Sequence, residues 1–160
     1  EELLSVLKSP EMVKDDVKQA TLLSELGNIH YLANELGQAI DVMGQVCQLK
    51  EKLHDKPGLS AAYGNLGSIL LQTNDLAGAE ENYARAIAIK EELQDYKNLY
   101  ELYASRAGIL LSLSRLAEAE QLMKKSLKLN QKHGNDPGLV MDYRNLGTLA
   151  LQKRDWSEAV

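Results

Sequence analysis

Side chains able to do covalent or metal chemistry are few in this chain, and they are scattered. Cys47 is the single cysteine, and His30, His54 and His133 are the three histidines. A zinc site needs three or four nitrogen, sulfur or carboxylate ligands converging on one point. Cys47 with His30 offers two at most. The paired carboxylates Glu80-Glu81 and Glu91-Glu92 are neighbours on helical segments, so the two members of each pair point apart and cannot flank one bond. No nucleophile motif, phosphate-binding loop or metal-ligand spacing occurs. The chain is therefore expected to be no enzyme and to hold no metal or cofactor. What remains is the chemistry of amides, hydroxyls and isolated charges. A side-chain amide both donates and accepts, so it can satisfy a peptide unit whatever side chain that unit carries.

The elements that would position such groups are legible from length and phase. The chain has 160 residues, 44% hydrophobic and 26% charged, which excludes disorder. At this size folding buries roughly 70% of the surface exposed by the unfolded chain, so a core needs no disulfide or metal staple. A single cysteine points to a reduced, cytoplasmic setting. Aliphatic runs such as Ile69-Leu70-Leu71 and Ile109-Leu110-Leu111 are far short of the roughly 20 apolar residues that a membrane span needs.

A shift of forty residues brings most special positions into register. Leu23, Tyr63, Tyr103 and Tyr143 coincide, as do Gly27, Gly67, Ala107 and Gly147; Leu36, Leu76, Leu116 and Trp156 follow, then Ala39, Ala79, Ala119 and Ala159. Asp15, Asp55, Asp95 and Asn135 mark the connections, with Pro57 and Pro137 two periods apart. Apolar spacing within each period is helical, and no strand alternation appears. Each unit reads as two helices broken by a short polar pair: Asn34-Glu35, Asn74-Asp75, Ser114-Arg115 and Arg154-Asp155. Asp155 followed by Glu158 fits a capping box opening the last helix. The small residues Gly27, Gly67, Ala107 and Gly147 are expected to let paired helices cross closely, against Ala39, Ala79 and Ala119. The phase divides the chain into the end of one unit (1–16), full repeats at 17–56, 57–96 and 97–136, and the start of another at 137–160. Leu3, Val6 and Leu7 align with Met43, Val46 and Cys47, which suggests a window on a longer array.

The register resembles the tetratricopeptide repeat, traced by Tyr63, Leu66-Gly67, Leu70, Asn74-Asp75, Ala79, Tyr83 and Ala86. The usual unit has about 34 residues. A forty-residue period is similar to the long-helix variety of kinesin light chains, of the Leu-Gly-Asn repeat proteins and of bacterial regulators, and Leu26-Gly27-Asn28 matches that tripeptide. Arg106 departs from the pattern, standing where Leu26, Leu66 and Leu146 stand.

The resemblance implies an all-α fold, a right-handed α-solenoid of antiparallel helix pairs whose first helices line a concave, protein- or peptide-binding groove. Groove positions carried over in this way are Glu25 and Asn28 in the first unit, and Asn65, Ser68 and Gln72 in the second. Glu101 and Ser105 follow in the third, then Arg144, Asn145 and Gln152 in the fourth. An asparagine at the positions of Asn65 and Asn145 is implied to hold a bound peptide's backbone. Only Arg144 supplies a matching cation, which argues against a clamp for terminal carboxylates. Arg144 is expected to pair with a neighbouring groove carboxylate such as Glu101 or, as the alternative, with an acidic residue of a partner.

The last quarter of the chain is net positive, owing most to Lys124, Lys125, Lys128 and Lys132. That stripe falls on a second helix, which the resemblance places on the convex side. The chain as a whole carries net charge −5 and lacks a basic groove with stacking aromatics, so nucleic acid is not an expected partner. The function expected is a noncatalytic binding scaffold; the alternatives are a sensing arm of a larger regulator and a self-assembling structural module.

Overall fold

Seven α-helices succeed one another in the computed structural model, which describes residues 15–158 and the side chains of 15–154. They are α1 (Asp16–Leu32), α2 (Leu36–Lys52), α3 (Lys56–Gln72), α4 (Leu76–Glu92), α5 (Leu99–Ser112), α6 (Leu116–His133) and α7 (Asp136–Glu158). No strand occurs among the described residues. The expectations at Leu3, Val6, Leu7 and Ala159 lie outside them.

The junctions reveal a half-period of twenty. Asn34, His54, Asn74, Gln94, Ser114 and Gly134 all take positive φ, between 53° and 64°. At each of these sites the residue after the left-handed one donates its N–H to the carbonyl five residues back, as in Asp55 to Lys50 (2.9 Å) and Asp75 to Leu70 (2.9 Å). The left-handed residue itself bonds three back, as in His54 to Glu51 (3.0 Å). This paired bonding satisfies carbonyls that a helix end otherwise leaves open, and it favours Gly or Asn at the left-handed position. The chain then turns straight into the next helix.

Acidic residues open several of these helices. Asp15 Oδ1 accepts from Lys18 N (3.1 Å), Asp55 Oδ1 from Gly58 N (2.9 Å) and Asp75 Oδ1 from Gly78 N (3.0 Å). Pro57 sits in the first turn of α3, where no N–H is missed. A second contact recurs with the repeat: Lys50 Nζ donates to Asp55 Oδ2 (2.8 Å), Lys90 Nζ to Asp95 Oδ2 (2.6 Å), and in the third copy Asn130 and Asn135 join as amides (2.8 Å).

These contacts set the acid response. Hydrogen bonds from Lys18, Lys50 and Lys90 hold the carboxyls of Asp15, Asp55 and Asp95 below their ordinary range, and Lys124 with Lys153 lowers Glu120 to about 2. Folded-state values below the unfolded ones give stability that is complete above the unfolded carboxylate range, near pH 4, and is lost as pH falls through the folded values. Urea unfolding should therefore be flat from pH 7 to 5 and weaken steadily below about pH 4. Asp55→Ala should cost about 1 kcal/mol at pH 7, since it removes a helix cap, and should shrink the acid loss. Equal acid sensitivity in parent and variant would refute the assignment to this cap.

The chain forms two compact units, Glu1–Ile89 and Lys90–Val160. In the first, Leu23, Ala39, Met43, Val46, Cys47, Ala62 and Ile69 make a buried cluster. Ser60 Oγ, also buried, donates to the Ala86 carbonyl (2.9 Å) and ties α3 to α4. Gly27 and Gly67 are buried as expected, and the atoms nearest to a side chain added there belong to Met43 and Tyr83. A methyl added at Gly27 would lie 2.9 Å from Met43 Cε, and one at Gly67 would lie 3.3 Å from three atoms of the Tyr83 ring. The glycine thus seats the large residue four positions beyond the alanine, because a helix presents residues four apart on one face. Ala39, Ala79 and Ala119 remain fully enclosed.

In the second unit α5, α6 and α7 pack together around Leu99, Tyr103, Leu110, Met123 and Leu149. The helix plan departs from that of the other repeats here. Helix α5 starts late, at Leu99, where Lys97-Asn98 stands in the register of Pro57-Gly58 and Pro137-Gly138 and Asn98 takes a left-handed φ of 54°. Asp95 consequently accepts from Lys97 N (3.1 Å) in a turn ahead of the helix. The break expected at Arg154-Asp155 is also absent. Helix α7 continues to Glu158, so Asp155 opens no helix and the capping box has nothing to cap. Arg154 is a good helix former, whereas Asn34, Asn74 and Gly134 accept the left-handed turn readily. Around Gly147 there is open space, and Val140, Tyr143 and Leu151 on the same helix are exposed.

Candidate partner-binding surface

The first helix of each pair carries the expected binding residues. Spacings of three and four place Asn65, Ser68 and Gln72 on one exposed face of α3, and Glu25 and Asn28 on one exposed face of α1. In the second unit Glu101 is exposed and Ser105 half-buried on α5, while α7 presents Arg144 exposed with Asn145 and Gln152 half-buried. α5 and α7 are in contact.

Hydrogen bonding divides the set. Neighbouring hydroxyls on the same helices, outside this set, are satisfied locally: Thr21 Oγ1 donates to the Val17 carbonyl (3.0 Å), Ser112 Oγ to the Gly108 carbonyl (3.1 Å) and Thr148 Oγ1 to the Arg144 carbonyl (3.1 Å). This is the usual back-bonding of such residues inside helices. Ser68 Oγ bonds the Gly64 carbonyl (3.1 Å) and lies 2.9 Å from Tyr83 Oη, so it holds the ring that covers Gly67. By contrast, the side-chain amides of Asn28, Asn65 and Asn145 make no hydrogen bond within the protein among the described residues.

The internal pair expected between Arg144 and Glu101 does not form. Arg144 Nη2 points at Met141 Sδ (2.6 Å), and Glu101 Oε1 accepts from Tyr100 Oη (3.2 Å). Each guanidinium or carboxylate finds a partner closer along its own helix.

Cys47 is buried, and burial pushes its thiol up to about 11. A thiol so placed stays protonated near neutrality and is a poor nucleophile. His30 Nδ1 lies 2.6 Å from Glu35 Oε2, a contact along its own hairpin, so the ring is half-buried rather than part of the core. His133 stacks on Tyr96 with ring centroids 4.1 Å apart. Helices α4 and α6 carry a feature that sequence reasoning did not assemble. Lys125, Lys128 and Lys132 of α6 border a cleft with Tyr96 and Tyr103, and the lysine spacing alone gave no sign of those aromatics. No helix among the described residues is long and apolar enough to cross a membrane.

Comparison with known proteins agrees with this architecture. The tetratricopeptide repeat family matches residues 18–92 and again 100–133, together more than half of the chain. No curated protein matches the sequence. Among solved structures, one similar to this chain is a kinesin light chain-type protein of nearly identical TPR-like repeats from Podosopora anserina, with TM-score 0.81 and 14% identity. That alignment covers 98% of this chain and 78% of the other. BtubC from P. vanneervenii gives TM-score 0.74 at 17% identity, with 82% of this chain and 54% of BtubC covered. A signal transduction ATPase with numerous domains and a tetratricopeptide repeat sensor, from Pyrococcus horikoshii, gives TM-score 0.73 at 18% identity. Here 96% of this chain matches 27% of the ATPase. At such identities the likeness establishes the fold, an all-α solenoid-type repeat. Repeats of this kind are typically noncatalytic and mediate protein–protein interaction. Matched in both of its units, this chain belongs to the tetratricopeptide repeat family.

Proposed function

We propose that this chain is a noncatalytic scaffold that binds extended segments of partner protein on the exposed faces of its first helices, α1 and α3 in the first unit and α5 and α7 in the second. The observation that supports this most is the set of unengaged amides at Asn28, Asn65 and Asn145, beside the hydroxyls of Thr21 and Thr148, which bond their own helices. An amide left open on a rigid helix can pair with both groups of a passing peptide unit without first giving up an internal bond. Glu25, Gln72, Glu101, Ser105, Arg144 and Gln152 would then select side chains around that backbone contact. Ser68 would act indirectly, by fixing Tyr83.

The test is Asn65→Ala with Asn145→Ala, compared with the parent chain in affinity capture from native lysate followed by mass spectrometry. Loss of a specific partner with unchanged circular dichroism is the expected result; retention of every partner by the folded variant would refute the amide anchors. The match to the tetratricopeptide sensor of the Pyrococcus horikoshii ATPase favours a second reading, in which the repeats sense a ligand for an attached regulatory domain. A partner captured only in cis, as a domain of the same polypeptide, would support it.

A further inference from the structure

The late start of α5 leaves Tyr96 outside any helix, and its ring stacks on His133 at the end of α6. Between this stack and α6 lies a cleft of about 330 Å³ in the second unit. Its floor is apolar and aromatic, made by Tyr96, Tyr103 and Leu129. Lysines form its rim. The charge there is unbalanced for a structural reason: Glu91, the cleft's one carboxylate, is already engaged. It accepts from Tyr103 Oη and pairs with Lys125 Nζ at 2.7 Å. Lys128 and Lys132 are exposed and have no ion-pair partner among the described residues. Two uncompensated ammonium groups therefore flank an apolar cleft in a chain whose net charge is −5.

We propose that this cleft is a second docking site, separate from the faces of α1, α3, α5 and α7, and that it takes an acidic, extended segment of a protein. Lys128 and Lys132 stand one helical turn apart, about 6 Å along the axis. In an extended peptide, side chains two positions apart lie on one side at a spacing of about 6.6–6.8 Å. A segment with two carboxylates separated by one residue matches both cations, and a flanking apolar side chain covers Leu129 and the Tyr96 ring. Nucleic acid is a poorer fit, because its affinity grows with the number of phosphates neutralised and only two cations here are unengaged.

The experiment is fluorescence anisotropy of the whole chain with four labelled probes: a capped short peptide carrying Glu-x-Glu between leucines, its Gln-x-Gln and Lys-x-Lys counterparts, and a single-stranded oligonucleotide. The Glu peptide should bind about tenfold or more tightly than the Gln peptide and should weaken as salt rises. Lys128→Ala with Lys132→Ala should remove about the same factor, while Asn65→Ala with Asn145→Ala should leave binding unchanged. Both lysines are exposed, so the variant should fold. Lys128→Glu with Lys132→Glu, folded by circular dichroism, should reverse the preference toward a Lys-x-Lys peptide. Equal affinity for the Glu and Gln peptides, no binding of the Glu peptide, tighter binding of the oligonucleotide, or full affinity in the lysine variant would each overturn the proposal. Loss of binding in the asparagine variant would overturn it too, by placing the peptide on the first-helix faces.

Discussion

Gly67→Leu is expected to destabilise the first unit by about 3 kcal/mol, the upper part of the range for overpacking a filled core. The whole Tyr83 ring is the obstacle. Even a methyl at position 67 would come within 3.3 Å of Cδ1, Cδ2 and Cε1, and Tyr83 is 3% exposed, so it has nowhere to retreat. Its hydroxyl is further held at 2.9 Å from Ser68 Oγ. Two comparisons separate this clash from the general effect of replacing a helical glycine. At Gly27 the obstructing atom is the terminal methyl of Met43, the end of a flexible side chain, so Gly27→Ala should cost little. At Gly147 nothing approaches, and Gly147→Ala should stabilise by about 0.5–1 kcal/mol through helix propensity. Urea unfolding of the three variants tests the order, and similar values for all three would refute the seating of Tyr83 on Gly67.

Asn130→Ala should cost about 2–4 kcal/mol in the second unit, because it strands a buried carboxyl group. Asp142 is 3% exposed, and Asn130 Nδ2 donates to its Oδ2 at 2.7 Å. The same amide reaches Ser126 Oγ (3.3 Å), and Asn130 Oδ1 accepts from Asn135 Nδ2 (2.8 Å), so one side chain serves three partners. In the forty-residue register the position of Asp142 is held by Leu22, Ala62 and Leu102, all apolar. Asp142→Leu in the Asn130→Ala background should therefore recover most of the loss, since no buried polar group is then left without a partner. If the double variant is as unstable as the two single losses added together, the network is not what makes Asn130 costly.

Most of the helix plan was legible because its causes are local. Asn34, Asn74 and Gly134 tolerate the left-handed turn, Asp15 and Asp55 cap the helix that follows, and Pro57 fits a first turn whatever the rest of the chain does. The candidate binding surface was legible only as a face. Spacing put Asn65, Ser68 and Gln72 together on α3, but it could not show that Ser68 is committed to Tyr83 while Asn65 is unengaged.

The amino-acid sequence by itself determined the all-α class, the period and the junctions, through apolar spacing and caps that act within a few residues. Tertiary structure alone decided that Gly67 lies under the Tyr83 ring, that Asn130 meets Asp142, and that Arg144 does not reach Glu101. It also decided that Tyr96 leaves the helical register and joins the lysines of α6 around a cleft. Each of these depends on which side chains from separate helices come within a few ångströms. Periodicity names the face a residue occupies, and only packing chooses the neighbour it meets there.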